Sequence, residues 1–352
     1  MRYTRDSMKF RTWFSIITLS LLAIVVIAAW SDIREAFRYL GQVNLWIIAL
    51  MIPAQFISYF ATGEMIFSYL RAKGNVRDLS VLRVTRMSLE LNFINHVFPS
   101  GGAAGVAYFS WLLGRHGVSS GRATMAQIVR FALTFVSFVL LLIVALAILI
   151  IDHSVDRMII LMSLLLVVLA VGGTIGGIFL LSNRKRLSGF SIWLTTFVNK
   201  TVSWMTRRRR QQVLDASVIG TFFEDIHDDY IAIRRDKKIL TKPFLWSLLA
   251  NVMDVALIYI AFWSFGVQVN PAIIFIAFGL SSVTSALAVT PGGAGVYEAV
   301  MIAFLGSAGV SLDVAIAGTL LARVLLMLGT IAFGYVFYQL TVVKYGKSPA
   351  QR

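Results

Sequence analysis

Pro99-Ser100-Gly101-Gly102-Ala103-Ala104-Gly105-Val106 and Pro291-Gly292-Gly293-Ala294-Gly295-Val296 interrupt hydrophobic sequence with nearly the same residues. Proline removes a backbone donor and glycine tolerates angles that other residues avoid, so each break stops a helix and leaves amide and carbonyl groups without intrahelical partners. Lipid cannot satisfy those groups. Irregular backbone at membrane depth is tolerated only where it is buried in protein or lines a cavity, so a duplicated break is a pointer to a transport site. The turn residues Pro99, Gly101, Gly102 and Gly105, with Pro291, Gly292, Gly293 and Gly295, are therefore the first candidates for function. Their bland alternative is close packing between helices, as small residues permit in membranes.

The flanking sequence sets the environment. Of 352 residues 58% are hydrophobic and 14% charged, with a mean hydropathy of +0.79, which marks a polytopic membrane protein. Cysteine is absent and histidine numbers 4, so disulfide scaffolds, thiolate nucleophiles and Cys/His zinc sites are excluded. No Walker loop, paired-acid site or nucleophile triad is present, so the expectation is no metal, no cofactor and no enzyme activity. The net charge of +15 falls in short segments between apolar spans. That pattern reads as membrane topology, and no nucleic-acid partner is expected.

About 20 apolar residues cross a bilayer as a helix. Spans are expected at Trp13 to Trp30, Leu45 to Leu70, Ala123 to Ile151, Met158 to Leu181, Phe244 to Phe265 and Asp313 to Val342. The first follows a basic N-terminus and reads as an uncleaved anchor. The regions 82–114 and 271–306 enter the membrane but are cut by the breaks into halves too short to span, so each reads as a re-entrant hairpin. The expected fold is thus an all-α polytopic membrane protein, one domain over 1–352, with about six spanning helices and two re-entrant half-helix hairpins.

Loop charge supplies the orientation. With the N-terminus inside, Arg34, Arg38 and Arg157 are the only Lys or Arg residues in outer loops, and Arg130 and Arg323 lie within spans. The remaining basic residues fall on the cytoplasmic side, which also holds the C-terminus. The first hairpin then dips in from the cytoplasm and the second from outside. Each is followed by a span with one arginine, Arg130 25 residues after Gly105 and Arg323 28 after Gly295. These are the marks of inverted repeats, whose broken helices meet near the midplane and build a substrate site.

The polar segment 183–242 contains Arg207 to Arg210 and the cluster Glu224-Asp225-Ile226-His227-Asp228-Asp229. It reads as a solvated linker, or more sharply as a basic surface gathering anionic lipid, with Phe190, Trp193, Leu194 and Phe197 at the spacing of an interfacial helix. Its acids lack EF-hand spacing.

A charged side chain in a span costs about 2.5 to 3.5 kcal/mol unless paired or hydrated. Arg130 and Arg323 are accordingly candidates for gripping a lipid phosphate through the guanidinium fork, with an intramembrane ion pair as the alternative. Glu298, three residues after Gly295, either serves the helix N-terminus or neutralises an arginine or a cationic headgroup. Glu90 is a further binding candidate, although Arg86 four residues earlier makes an ordinary helical ion pair with it sufficient. Asn92, Asn95 and His96 share a helical face before the first break and can line a polar cavity. Glu64 and Asp254, the latter one turn after Asn251, are candidate proton or headgroup sites.

Thr290-Pro291-Gly292-Gly293-Ala294-Gly295-Val296-Tyr297-Glu298 resembles the signature of the lysylphosphatidylglycerol synthase transmembrane-region family, the flippase-like domain proteins. The resemblance extends to the Asn95 to Gly105 break, the Gly114-Arg115-His116-Gly117-Val118-Ser119 turn and the span containing Arg130, and so covers nearly the whole chain. It departs where many relatives continue the first break with an acid and an arginine: here stand Ala104, Gly105 and Tyr108, and Val129 replaces an acid before the membrane arginine. The resemblance implies a lipid translocator resembling the membrane domain of the multiple peptide resistance factor, moving phospholipid or aminoacylated phospholipid between plasma-membrane leaflets. It assigns site roles to Pro291, Gly292, Gly293, Gly295, Glu298 and Arg130. The family's soluble aminoacyl-transferase domain is not expected here, since the chain ends about ten residues past its last span. Partners would be membrane lipids, anionic or aminoacylated, with a homo-oligomer or a lipid-modifying enzyme as further options. The competing readings are a secondary transporter of a small solute, enclosing its site, and a non-transporting membrane partner of a lipid- or glycan-modifying enzyme.

Overall fold

Each Pro-Gly break divides apolar sequence into two short helices, and the chain around them is helical throughout the described residues. The computed structural model describes residues 30–98, 103–151, 157–190, 216–287 and 293–345, with positions 20, 26, 27, 192, 193 and 196. Apart from those positions and Trp30, the expected first span lies outside the described residues, as do Arg207 to Arg210, Leu194, Phe197 and the turn residues Pro99, Gly101, Gly102, Pro291 and Gly292.

In chain order the helices are α1 (Trp30–Leu40), α2 (Leu45–Ala49), α3 (Met51–Ala72), α4 (Val81–Val97), α5 (Ala103–Gly114), α6 (Ser120–Ile151), α7 (Arg157–Leu181), α8 (Ala216–Arg235), a 3-10 turn (Lys237–Leu240), α9 (Thr241–Ser264), α10 (Pro271–Leu287), α11 (Val296–Ser307) and α12 (Leu312–Tyr345). Five stretches are long and apolar enough to cross a membrane: α2 with α3, α6, α7, the 3-10 turn with α9, and α12. The protein is a multi-pass membrane protein. For the five spans within the described residues, the expected edges fall within three residues of α2–α3, α6, α7, α9 and α12, and α4/α5 and α10/α11 are the two hairpins.

The hairpins enter from opposite faces. The Asn44 amide donates to the Ser264 carbonyl at 2.8 Å, so α2 starts where α9 ends. At the other face Tyr69, Lys73 and Arg122 meet at Asp229, and Arg86 reaches Thr341 at the end of α12. Hairpin α4/α5 opens on this second face, which carries the basic loops, and α10/α11 opens on the first.

The two halves, α3 to α6 and α9 to α12, are related by exchange of packing partners. Helix α4 lies on α12, α10 lies on α6, and α3 packs on α9 across the pseudo-axis. A shorter repeat reports the same relation. Leu-Gly-x-x-Gly-Val-Ser occurs at 113–119 and again at 305–311, after the second half of each hairpin. In both copies the second glycine is left-handed, at φ 76° for Gly117 and 89° for Gly309. Val118 donates to the Leu113 carbonyl at 3.2 Å and Val310 to that of Leu305 at 3.0 Å, the same helix-ending turn on opposite faces. Each hairpin has its own apolar core, one around Phe67, Leu70, Phe109 and Leu113, the other around Phe262, Ile276, Phe304 and Leu305. By contrast α7 turns Leu161, Leu164, Val168 and Phe179 outward, as suits a helix in lipid.

One acid of the polar segment is not solvated. Asp229 on α8 is 4% exposed, held 3.2 Å from Lys73 Nζ and 3.5 Å from Arg122 Nε. Removing one partner of a buried pair strands the other charges. Asp229→Ala should destabilise the protein by about 3 kcal/mol, against under about 1 kcal/mol for Glu224→Ala, whose pair with Arg184 is exposed. Thermal unfolding of both variants in detergent measures the difference.

Candidate functional site

Between the two apolar cores lies a polar cavity of ≈ 450 Å³. Both hairpins reach it. Helix α4 contributes Asn92, Asn95 and His96, α6 contributes Arg130 and Thr134, α9 contributes Asn251 and Asp254, and α12 contributes Arg323. Gly293 and Tyr297, at the second break, close another side. Residues distant in sequence are thus gathered in one space, because the hairpins enter from opposite faces and the first limb of each packs on the other half's long helix.

The breaks shape the walls. Gly293 has φ 71°, and a Cβ there would overlap the Ser285 hydroxyl, so glycine alone fits the turn. A Cβ on Gly105 would overlap the Asn95 carboxamide, which is how α4 and α5 approach at the first break. That carboxamide oxygen is buried without a hydrogen-bond partner among the described residues.

The charges fall into two groups. Arg323 Nε donates to Glu298 Oε1 at 2.9 Å, while Glu298 Oε2 accepts from the Gly295 amide at 2.7 Å. Glu298 thus caps α11 and ties it to α12, and the Arg323 guanidinium also stacks 4.4 Å from the Tyr297 ring centre. Arg130 is differently placed. Among the described residues it has no carboxylate partner, its Nε is buried without a hydrogen bond, and its guanidinium lies 4.4 Å from the Phe131 ring. Asp254 accepts a hydrogen bond from Ser58 at 2.6 Å and shares the cavity with Arg130 without forming an ion pair. One cation and one acid therefore remain separately available to a ligand.

Arg130, Arg323, Asn95, Asp254 and Gly293 come together here, with Glu298 directly behind Arg323 and Gly105 behind Asn95. Glu90 does not join them. It is fully buried and accepts hydrogen bonds from Arg86 at 2.9 Å, Tyr108 at 2.8 Å and Thr341 at 2.6 Å, which fastens α4 to α5 and α12. Glu64 is likewise held by both terminal nitrogens of Arg71 at 2.8 Å. Asn251 does not pair with Asp254 but donates to Ser137 and to the Thr134 carbonyl. The residues Ser58, Tyr59 and Thr62, and Thr319, Leu326 and Thr330 on the face of α12 that carries Arg323, line the cavity unanticipated. Their helical spacing was the available signal. Among the described residues no group of three His, Asp or Glu is placed to hold a metal ion.

The model of the lysylphosphatidylglycerol synthase TM region family matches residues 17–334. A UPF0104 membrane protein of Methanothermobacter thermautotrophicus is 21% identical over 312 residues, covering 87% of this chain and 88% of that protein. A second UPF0104 membrane protein of the same organism is 21% identical over 185 residues, covering 52% of this chain and 51% of its own.

The double role of Glu298 separates two substitutions. Glu298→Gln keeps an acceptor for the Gly295 amide and loses the charge facing Arg323, whereas Glu298→Ala loses both. Breaking a buried pair costs about 3–5 kcal/mol. The alanine variant should melt lower than the glutamine variant, and both below wild type, in thermal scans in detergent.

Proposed function

Because the chain belongs to the lysylphosphatidylglycerol synthase TM region family, we propose that it moves a phospholipid, plain or aminoacylated, between the leaflets of the plasma membrane. The observation that carries this reading is Arg130, a guanidinium without a carboxylate partner among the described residues, in a mid-membrane cavity that both broken hairpins build. A buried cation is tolerable there when an anion visits it, and a guanidinium offers a phosphodiester two parallel donors. Arg323 stays tied to Glu298 and holds the second break in shape. Asp254, apart from Arg130, accepts from the far end of the headgroup, whether hydroxyl or ammonium. The acyl tails need no polar site and remain in lipid. Exchange of the two hairpins between open and closed packing would expose the headgroup to each leaflet in turn, as in other inverted-repeat carriers. On the loop charge, the basic face with Arg71 to Arg86, Arg115 and Lys242 is cytoplasmic. None of these steps makes or breaks a covalent bond.

Two measurements test the proposal. In liposomes with headgroup-labelled phospholipid, the wild-type chain should accelerate leaflet exchange over protein-free vesicles. Loss of a charge-assisted hydrogen bond, worth about 1.5–3 kcal/mol, predicts that Arg130→Ala slows exchange about 10- to 100-fold, with Arg130→Lys between the two. Equal exchange with and without protein would end the translocator reading, and accumulation of a soluble phosphodiester without lipid exchange would favour the small-solute carrier. For orientation, single cysteines in this cysteine-free chain suffice. Arg115→Cys should react with an impermeant maleimide only from the cytoplasmic side, and Ser307→Cys only from outside.

A further inference from the structure

Next to the polar cavity is a second recess, apolar, of ≈ 300 Å³, between α3 and α12. Ile48, Ile52, Phe56, Leu325 and Phe333 form its walls. Ile52 and Phe333 are 58% and 44% exposed, so its mouth faces the surrounding lipid. Tyr59 lines both spaces. It sits near the middle of the 28-residue span Leu45–Ala72, and the groove extends from it toward the face opposite the basic loops, past Ile48 to Leu40.

The partition between the spaces is one side chain thick. Gln55 Nε2 donates to Tyr59 Oη at 2.8 Å and to the Leu326 carbonyl at 2.9 Å, and Tyr59 Oη shares a hydrogen bond with the Thr330 hydroxyl. The absence of a side chain at Gly329 lets Gln55 cross from α3 to α12. Outside this layer the rings of Phe56 and Phe333 meet across the seam, their centres 5.2 Å apart.

Comparison of the two halves isolates this seam. By the pseudo-symmetry of the repeat, the pair α3/α12 corresponds to α9/α6. Helices α9 and α6 pack directly, with Asn251 donating to Ser137 at 2.7 Å and to the Thr134 carbonyl at 3.1 Å. The backbones of α3 and α12 hardly approach one another and are bridged by the side chains named above. One seam is sealed and its counterpart is parted.

We propose that the α3/α12 groove holds an acyl chain of the lipid whose headgroup occupies the polar cavity, and that the Gln55, Tyr59 and Thr330 network is the latch the headgroup passes to enter or leave. The inference rests on the translocator reading. A phospholipid joins a charged head to apolar tails through a few bonds, so a site for it needs a polar space and an apolar, lipid-open space side by side, which is the arrangement found here. A soluble anion would have no use for the groove. Breaking the Tyr59 hydrogen bonds parts the latch without opening the cavity to water, because the groove beyond it is apolar.

The test uses the full chain in vesicles of phosphatidylglycerol and phosphatidylcholine containing phosphatidylglycerol with a diazirine midway along one acyl chain. Photolysis followed by peptide mass spectrometry should place adducts on Ile52, Phe56 or Phe333 at several times the yield found on the outward face of α7, around Leu164 and Val168. Equal yields at both places would overturn the groove. For the latch, Phe56→Cys combined with Phe333→Cys and bridged by a reducible bis-methanethiosulfonate should slow leaflet exchange at least tenfold, with recovery on reduction showing that the variant is folded. Tyr59→Phe should speed exchange several-fold. Exchange unaffected by the bridge would overturn the portal while leaving translocation intact. Wild-type chain that exchanges no lipid would instead overturn the translocator reading, and the adduct pattern would still decide whether an acyl chain occupies the groove.

Discussion

A backbone that leaves the helix inside a bilayer has to be covered, since lipid offers no partner for the amides and carbonyls it exposes. Most of this structure follows from meeting that requirement twice. Helix α4, which leads into the first break, rests on α12, and α10, which leads into the second, rests on α6, while Glu298 holds the Gly295 amide. In each half the second limb of the hairpin packs on that half's own long helix, α5 on α6 and α11 on α12, and the first limb on the other half's. Each first limb thus borrows a long helix from the other half, and the two halves become one domain by that exchange.

The same requirement explains why the interior is polar. Two hairpins entering from opposite faces leave a space between their described limbs, and side chains able to serve backbone or ligand gather there. Asn95, His96, Arg130, Asp254 and Arg323 line that space. Its charges are sorted by structural duty. Arg323 is committed to Glu298, which in turn holds the Gly295 amide, so this pair maintains the second break. Arg130 has no such duty among the described residues. An arginine kept in a membrane without a partner is destabilising unless something compensates it, and a phosphodiester does so best.

How much of this was legible in the sequence depends on the physical signal each residue gives. The spans and hairpins were, because apolar length and the Pro-Gly breaks act locally: 271–306 was expected and helices at Pro271–Leu287 and Val296–Ser307 were found. Arg130 and Arg323 stood out for their cost in an apolar run. Ser58, Thr319 and Thr330 did not, since hydroxyls in helices bond their own backbone and are common in spans without function. Glu90 carries the same charge as Glu298 and precedes a break as Glu298 follows one, yet it is enclosed by Arg86, Tyr108 and Thr341. Which acid faces a cavity depends on contacts 251 residues apart in sequence, and no local pattern encodes them. Asp229 was read as part of a solvated cluster for the same reason.

The departure from symmetry is more informative than the symmetry. Identical turns at Leu113 to Ser119 and Leu305 to Ser311 indicate that the halves share one design, so a difference between corresponding seams must come from the side chains placed in them. In α9/α6 the seam holds the compact set Asn251, Ser137 and Thr134, whose short side chains let the backbones close. In α3/α12 it holds Gln55, Phe56, Tyr59 and Phe333, which are long, span the gap by themselves and keep the backbones apart. A repeat protein that alternated between two equivalent states would need no such difference. In the proposed transport cycle, unequal seams would make the two states unequal in energy, and a ligand would shift the balance only by binding one of them more tightly.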